Sequence, residues 1–298
     1  MPEVIRAEQL TKSYGPNRGI VDVDFSVQSG EVFGFLGPNG AGKTTTIRLL
    51  LDLIRPTNGR LSVFGLDSRR DSVRIRERLG YLPGDLRLYE RMTGRELLRF
   101  FAHLRRADGR GDELAKRLDL DLDRRIKELS RGNRQKIGLV QAFMHDPELV
   151  VLDEPTSGLD PLVQETFYDL VAEVTGRGGT VFLSSHVLSE VQHVADRVGL
   201  IREGRLGLVD TVENLRARAF THVEATFKAR PPVDAFAGVP GVRELGRHGD
   251  VVRFALEGEI DPLVKALARF PVKALDVHEA DLEDIFMALY RGGEPDAA

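Results

Sequence analysis

Cysteine is missing from all 298 residues. Its absence removes disulfides, thiolate catalysis and cysteine-ligated zinc, and it is compatible with a reducing cytosol. A long apolar run is missing too. A membrane-spanning helix needs about 20 consecutive apolar residues, whereas the most continuous stretch here, Leu149-Val150-Val151-Leu152, stops at two acids and reads as a buried strand. Any membrane role must therefore come through a partner chain. The opening Met1-Pro2-Glu3-Val4-Ile5-Arg6 holds no apolar segment, so no secretory leader is expected. Nor is there a basic excess. Lys and Arg number 42 against 46 Asp and Glu, a net charge of -4, and that balance gives no reason to expect a nucleic-acid partner. No internal repeat or low-complexity tract is visible. What remains, 42% hydrophobic and 30% charged residues, is ordinary globular composition, long enough for one or two domains at about 150 residues each.

Residues 4–10 and 19–27 alternate apolar and polar side chains, as half-buried strands do. The compact apolar run 31–36 stops in glycine and is followed by helical periodicity over 44–54, giving strand, loop, helix. Residues 85–146 read as mostly helical, with Leu97, Leu98, Phe101 and Leu104 on one face and Arg95, Arg99, Arg105 and Arg106 on the polar sides. From Leu149 the pattern alternates: strand 149–152, helix 162–175, strand 180–184, helix 189–195, strand 198–202. Buried strands alternating with helices predict a largely parallel sheet. After about residue 215 the character changes. Residues 222–228 and 251–256 alternate like antiparallel strands, and 261–270 and 281–290 have amphipathic helical spacing. The expected organisation is an α/β domain over 1–215, with a helical subdomain at about 85–146, and a small α+β domain over 216–298.

The strongest local signal is Gly37-Pro38-Asn39-Gly40-Ala41-Gly42-Lys43-Thr44, which fits the phosphate-loop pattern GxxxxGK[ST] between a strand and a helix. Glycines let the backbone turn so that successive N–H groups point at a phosphate, and the helix adds its positive end. Lys43 is expected to reach the β- and γ-phosphates of ATP, and the Thr44 hydroxyl to ligate Mg²⁺. A second element is the acid pair Asp153-Glu154 after the apolar strand at 149–152, at the carboxyl end where ligands gather in open parallel sheets. Asp153 would hold the metal and Glu154 would polarise the attacking water. Taken alone, such a pair is a weak signal and reads first as ordinary helix-capping chemistry. Ser130, in Leu129-Ser130-Arg131-Gly132-Asn133, reads alone as a helix cap, and His186, after Ser184-Ser185, as a surface residue.

Their co-occurrence in this order changes the reading. Residues 1 to about 215 resemble the nucleotide-binding subunits of ABC (ATP-binding cassette) transporters, whose core is a P-loop NTPase fold with a helical subdomain. Gly37 to Thr45 is similar to the Walker A loop, Leu129 to Asn133 to the family signature and Leu149 to Glu154 to Walker B. Ser157-Gly158-Leu159-Asp160 is similar to the D-loop, and His186 to the switch histidine. The resemblance implies that Tyr14 stacks on adenine, that Gly37, Pro38, Asn39, Gly40, Ala41, Gly42, Lys43, Thr44 and Thr45 hold the phosphates, that Thr44 and Asp153 hold Mg²⁺, and that Glu154 and His186 act in hydrolysis. It implies a second copy of the chain as partner in an ATP-dependent head-to-tail dimer, in which Ser130, Gly132 and Asp160 act on the nucleotide held by the other copy. It also implies a separate integral membrane permease as partner, which would hold the chain at the cytoplasmic face of the cell membrane.

Three positions depart from the family pattern. Arg131 stands where glycine is usual, Asn133 where glutamine is common, and Gly84, in Gly80-Tyr81-Leu82-Pro83-Gly84-Asp85, where a glutamine or glutamate normally touches the metal or its water. Asp85 is the neighbouring candidate to stand in for it. The tail, with Asp281-Leu282-Glu283-Asp284-Ile285-Phe286, resembles the C-terminal extension of daunorubicin-resistance-type exporters, which implies export of a drug or lipid-like small molecule. Two other readings stay open on the sequence: an ABC-type ATPase acting on ribosomes or nucleic acid, and a nucleotide-gated regulator with little hydrolysis.

Overall fold

The computed structural model describes residues 2–15, 19–105, 109–218 and 221–278, the side chains of 216–218 and 278 excepted. By its internal contacts the chain divides into two units, Met1–Val212 and Glu213–Ala298.

The first unit opens with β1 (Glu3–Ser13), β2 (Gly19–Gln28), β3 (Val32–Leu36), α1 (Lys43–Leu50), β4 (Asn58–Val63), β5 (Leu66–Asp67), α2 (Ser72–Glu77) and β6 (Leu79–Leu82). A helical section follows: α3 (Gly94–Arg105), α4 (Gly111–Arg117), one 3₁₀ turn (Ile126–Glu128) and α5 (Arg131–Phe143). Then come β7 (Leu149–Asp153), α6 (Pro161–Gly176), β8 (Thr180–Ser185), α7 (Leu188–Val194), β9 (Arg197–Arg202) and β10 (Arg205–Thr211). The main sheet has the order β10-β9-β3-β8-β7-β6. The five strands from β9 to β6 run parallel. Only the edge strand β10 is antiparallel, joined to β9 through Glu203 and Gly204, both at positive φ as tight hairpin turns require. A second, antiparallel sheet has the order β2-β1-β4-β5.

Strands buried on both faces need continuous apolar sequence, and every residue of β3, β7 and β8 is buried. Phe25 of the antiparallel sheet packs against Phe33, Phe35 and Phe182 of the parallel one, with ring centroids 5.6–5.9 Å apart. These rings lock the two sheets into one core and hold the carboxyl ends of β3, β7 and β8 in a fixed row.

Two expectations need correction. The helix after the phosphate loop stops at Leu50 rather than 54, because Asp52 turns into the left-handed region (φ 52°) that aspartate tolerates, leaving Leu53 exposed. In α3, Leu97 and Leu98 are buried but Leu104 is exposed. Arg105, expected on the solvated side, turns back and donates to the carbonyls of Arg76, Glu77 and Leu79. It caps the end of α2 and the start of β6. Arg106 lies outside the described residues.

After α8 (Val212–Arg218), the second unit contains β11 (Thr221–Phe227), β12 (Val242–His248), β13 (Val251–Leu256), α9 (Asp261–Leu267) and β14 (Val272–His278). Its antiparallel sheet has the order β12-β13-β11-β14. Its core gathers Val223, Phe227, Phe236, Phe254, Leu263 and Leu267. The helix expected over 281–290, and with it Asp281 to Phe286, lies outside the described residues.

Candidate functional site: a cleft at the carboxyl ends of the parallel strands

Between β3 and α1 the chain makes the glycine-rich turn. Gly42 caps α1 at φ 116°, and a Cβ there would sit 2.5 Å from the Ile20 side chain, so conformation and space both demand glycine. Lys43 is almost wholly buried and folds back over the loop. Its Nζ donates to the carbonyls of Gly37 (2.5 Å) and Pro38 (3.2 Å) and lies 3.2 Å from Glu154 Oε1.

The end of β7 supplies the facing acids. Asp153 is 1% exposed, and both its oxygens are engaged. Oδ2 accepts from the Thr44 hydroxyl at 2.8 Å and Oδ1 from the Ser184 hydroxyl at 2.6 Å. Glu154 adopts φ 53°, a sparsely populated conformation for a side-chain-bearing residue and one that gathers at functional sites. Its N–H donates to the Ser184 carbonyl (3.1 Å), and its Oε2 lies 2.7 Å from His186 Nδ1. Glu154 Oε1 is buried with no aligned hydrogen bond, so its contact with Lys43 is one of charge alone. Next to the cleft on β6, the Tyr81 hydroxyl is pushed up to about 12, by burial first and by the Asp153 charge second.

The start of α5 leans on the loop after Glu154. Ser130 caps the helix by accepting from the Asn133 N–H at 3.2 Å. Arg131 donates to the Ser157 hydroxyl at 2.9 Å, and Gln135, one turn on, donates to the carbonyls of Glu154 (3.3 Å) and Pro155 (3.0 Å). Asp160 caps α6 by accepting from the Val163 N–H at 3.1 Å.

These pieces line a cleft of about 540 Å³. Of the residues expected from the sequence, it gathers Pro38, Asn39, Gly40, Gly42, Lys43, Thr44, Thr45, Asp153, Glu154 and His186. Gly37 and Ala41 belong to the same turn but face inward: the Gly37 N–H donates to the Ser185 carbonyl, and Ala41 is buried. Ser130, Gly132 and Asp160 are not on the cleft wall. Tyr14 is not there either. It is 52% exposed, with Lys12 Nζ 5.2 Å above its ring. Sequence reasoning missed Ser184 and Gln135, and it did not place Arg131, which lines the cleft. Gly84 lines it as well, and a Cβ on Gly84 would lie 3.2 Å from Asp153 Oδ2. Asp85 is at the rim, largely exposed and paired with Arg87 at 3.0 Å.

Among the described residues, no cluster of three or more His, Asp or Glu could hold a metal by itself, and no helix is long and apolar enough to cross a membrane.

Comparison with known proteins agrees with this geometry. A family model described as ABC transporter matches residues 20–157. The chain is 32% identical to the bacitracin transport ATP-binding protein BcrA of Bacillus licheniformis, over 98% of this chain and 99% of the relative. It is 39% identical to the daunorubicin resistance ATP-binding protein DrrA3 of Streptomyces coeruleorubidus, over 72% of this chain and 70% of that one. With the linearmycin resistance ATP-binding protein LnrL of Bacillus subtilis the identity is 30%, over 96% and 98%. Among solved structures, the ATP-binding subunit of an ABC transporter superposes with a TM-score of 0.66 at 30% identity, covering 72% of this chain and 92% of the other. A dimeric ATP-binding cassette in a post-hydrolysis state with ADP and Pi shares the fold at a TM-score of 0.62 and 21% identity. A phosphate loop opposed by the buried Asp153 and the half-buried Glu154, on a chain aligned end to end with such a subunit, makes this protein a member of the ABC transporter ATP-binding family, an ATPase.

Proposed function

We propose that this chain hydrolyses ATP, with Mg²⁺, in a head-to-tail pair of copies and so powers export of an antibiotic-like small molecule through a separate membrane subunit. The observation that carries this reading is the line Thr44, Asp153, Glu154, His186: a hydroxyl, two acids and a base converging opposite Lys43.

Each residue has work to do. Lys43 is held by two carbonyls and one carboxylate, so an incoming triphosphate competes for a cation already positioned. The Thr44 hydroxyl and the Asp153 carboxylate are hard oxygen donors, and two such groups suit Mg²⁺, which keeps several waters and takes its other ligands from substrate phosphates. Bound there, Mg²⁺ supplies positive charge to the phosphate oxygens. Ser184 fixes Asp153 from behind. Glu154 Oε1, buried and without a hydrogen bond, is the acceptor to which an attacking water would donate. His186 holds the other oxygen, so the carboxylate keeps one orientation. Ser130 and Gly132 lie at the start of a 13-residue helix, where N–H groups favour an anion. They are not on the cleft of their own chain, which supports their acting on nucleotide bound by a second copy.

Export rests on the relatives named for bacitracin transport and for daunorubicin and linearmycin resistance. For the membrane subunit, the helical section presents Tyr89, Phe100 and Leu104 exposed, with the rings of Tyr89 and Phe100 edge to face at 6.2 Å. Such a patch suits a docking partner.

Phosphate release and light scattering test the reading together. The Glu154→Gln protein is expected to bind ATP, to lose roughly 10²–10⁴-fold in turnover, and to form a dimer at saturating ATP. An inactive wild-type chain, or a Glu154→Gln protein that stays monomeric both alone and with its membrane subunit, would sink it.

A further inference from the structure

His186 reaches Glu154 from a step in the chain that the sheet does not hold. Up to Ser185 the backbone of β8 is fixed: Ser185 pairs with Leu36 of β3 in the parallel ladder, and its carbonyl accepts from the Gly37 N–H at 3.2 Å. α7 begins at Leu188, with Val187 as its N-cap, a residue whose side chain cannot cap. Between the two lies His186, an exposed ring whose Nδ1 is 2.7 Å from Glu154 Oε2. The turn around it is closed by one side chain. The Ser185 hydroxyl, wholly buried, accepts from the Val187 N–H at 2.9 Å and donates to Glu190 Oε2 at 2.8 Å. A hydroxyl carries a single proton, and giving it to Glu190 leaves its lone pairs aimed at Val187. Glu190 is not needed to hold α7. That helix is seated on β3 at Gly34, where a Cβ would collide with Val191 and crowd Ala195. Its far end stacks His193 on Tyr168 of α6, with ring centroids 4.4 Å apart. α7 is thus an anchored arm that carries a carboxylate back to the turn in front of it.

We propose that Glu190 is a positioning residue for hydrolysis: through the Ser185 hydroxyl it fixes the turn from 185 to 187 and so aims His186 Nδ1 at Glu154. The inference rests on the ATPase reading and adds to it a residue that does not itself line the cleft. An ionised carboxylate only accepts hydrogen bonds, so Nδ1 carries the proton that meets Glu154, and a neutral ring then has its bare nitrogen at Nε2. Without Glu190 the Ser185 hydroxyl is free to turn, the step from 185 to 187 loosens, and the His186 ring loses its single orientation. The phosphate loop is unaffected, because it leans on the Ser185 carbonyl and not on the hydroxyl.

Steady-state phosphate release and nitrogen NMR of the histidine-labelled full chain test this together. Glu190→Ala is expected to lose about tenfold in kcat, as loss of a charged hydrogen bond does, with KM for ATP within about twofold of wild type. The His186 side-chain signal, assigned by its disappearance in His186→Gln, should show the proton on Nδ1 in the wild type and move towards the Nε2 form in Glu190→Ala. Glu190→Gln, whose amide oxygen still accepts from Ser185, should keep the wild-type signal and at least about half of the turnover. A Glu190→Ala protein with wild-type kcat, or one that slows while its His186 signal stays unchanged, would overturn the role. So would a glutamine variant as slow as alanine. The thermal midpoint of Glu190→Ala should match wild type, since α7 keeps its other anchors; a midpoint lowered in step with kcat would reduce the bond to a structural one. A wild-type chain without turnover would overturn the ATPase reading by itself, and the nitrogen signal would still decide whether Glu190 aims His186.

Discussion

Gly84 shows how little room a single position can leave. At the position where the family pattern implies glutamine or glutamate, this chain brings its backbone to within van der Waals range of Asp153, and a Cβ would sit 3.2 Å from Oδ2, 3.3 Å from Cγ and 3.4 Å from the carbonyl oxygen. Asp153 is pinned on both oxygens by Thr44 and Ser184, so it has little freedom to retreat. Gly84→Gln is therefore expected to harm the site and not to repair it. Displacing a well-packed carboxylate by a few tenths of an ångström costs about 1 kcal/mol, which corresponds to roughly a fivefold loss in turnover. Phosphate release measured across a Mg²⁺ series checks this. A rise in turnover would mean that the loop relaxes and that glutamine regains a role at this position.

The first turn of α5 and the loop after β7 behave as one piece. Gly132 approaches the loop so closely that a Cβ would lie 2.7 Å from the Gly158 carbonyl oxygen, a backbone atom that cannot swing aside. Gln135 and Arg131 tie the same two segments by three hydrogen bonds. Gly132→Ala should push the loop away from the helix, destabilising the chain by about 1–3 kcal/mol and loosening Glu154 with it. Urea unfolding reads the first effect and phosphate release the second; an alanine variant of native stability and turnover would show that the contact yields. Much of this region was legible beforehand. The phosphate loop announces itself because glycine spacing and the strand-to-helix change are local. The acid pair ending an apolar run became legible only in company with that loop and the other motifs. Ser184 was hidden: its bond to Asp153 arises because β7 and β8 pair in parallel with Asp153 opposite Ser184, 31 residues apart in sequence. Gln135 was hidden for the same reason, since a helix start says nothing about which loop lies beneath it. The exposure of Leu104 and the inward turn of Arg105 were misread because helical periodicity gives a face but not what covers it.

The folded chain as a whole carries one titration that its chemistry does not need. His145 follows α5 and packs against the start of β6, where its Nε2 lies 3.3 Å from the Leu79 carbonyl. Its Nδ1 is buried with no partner. Burial, then the positive charge of Arg105, pushes the imidazole down to about 4, opposed by the Leu79 carbonyl and by Asp146. A base held below its unfolded value, near 6.5, stays neutral in the fold while the unfolded chain takes up a proton. Its contribution is thus complete above about pH 6.5 and is lost as pH falls towards 4, at up to about 1.4 kcal/mol per pH unit. Lowered carboxylates such as Glu148, held by Arg78, weaken the fold only further down, as pH passes below the ordinary carboxylate range. The window from 6.5 to 5 therefore belongs to histidine. His145→Gln keeps a donor for the Leu79 carbonyl but cannot titrate. Over that window the urea midpoint of the wild type should fall more steeply than that of the variant, and the two curves should run parallel above pH 7. Parallel curves throughout would mean that His145 protonates in place, with water or a carboxylate reaching its buried nitrogen.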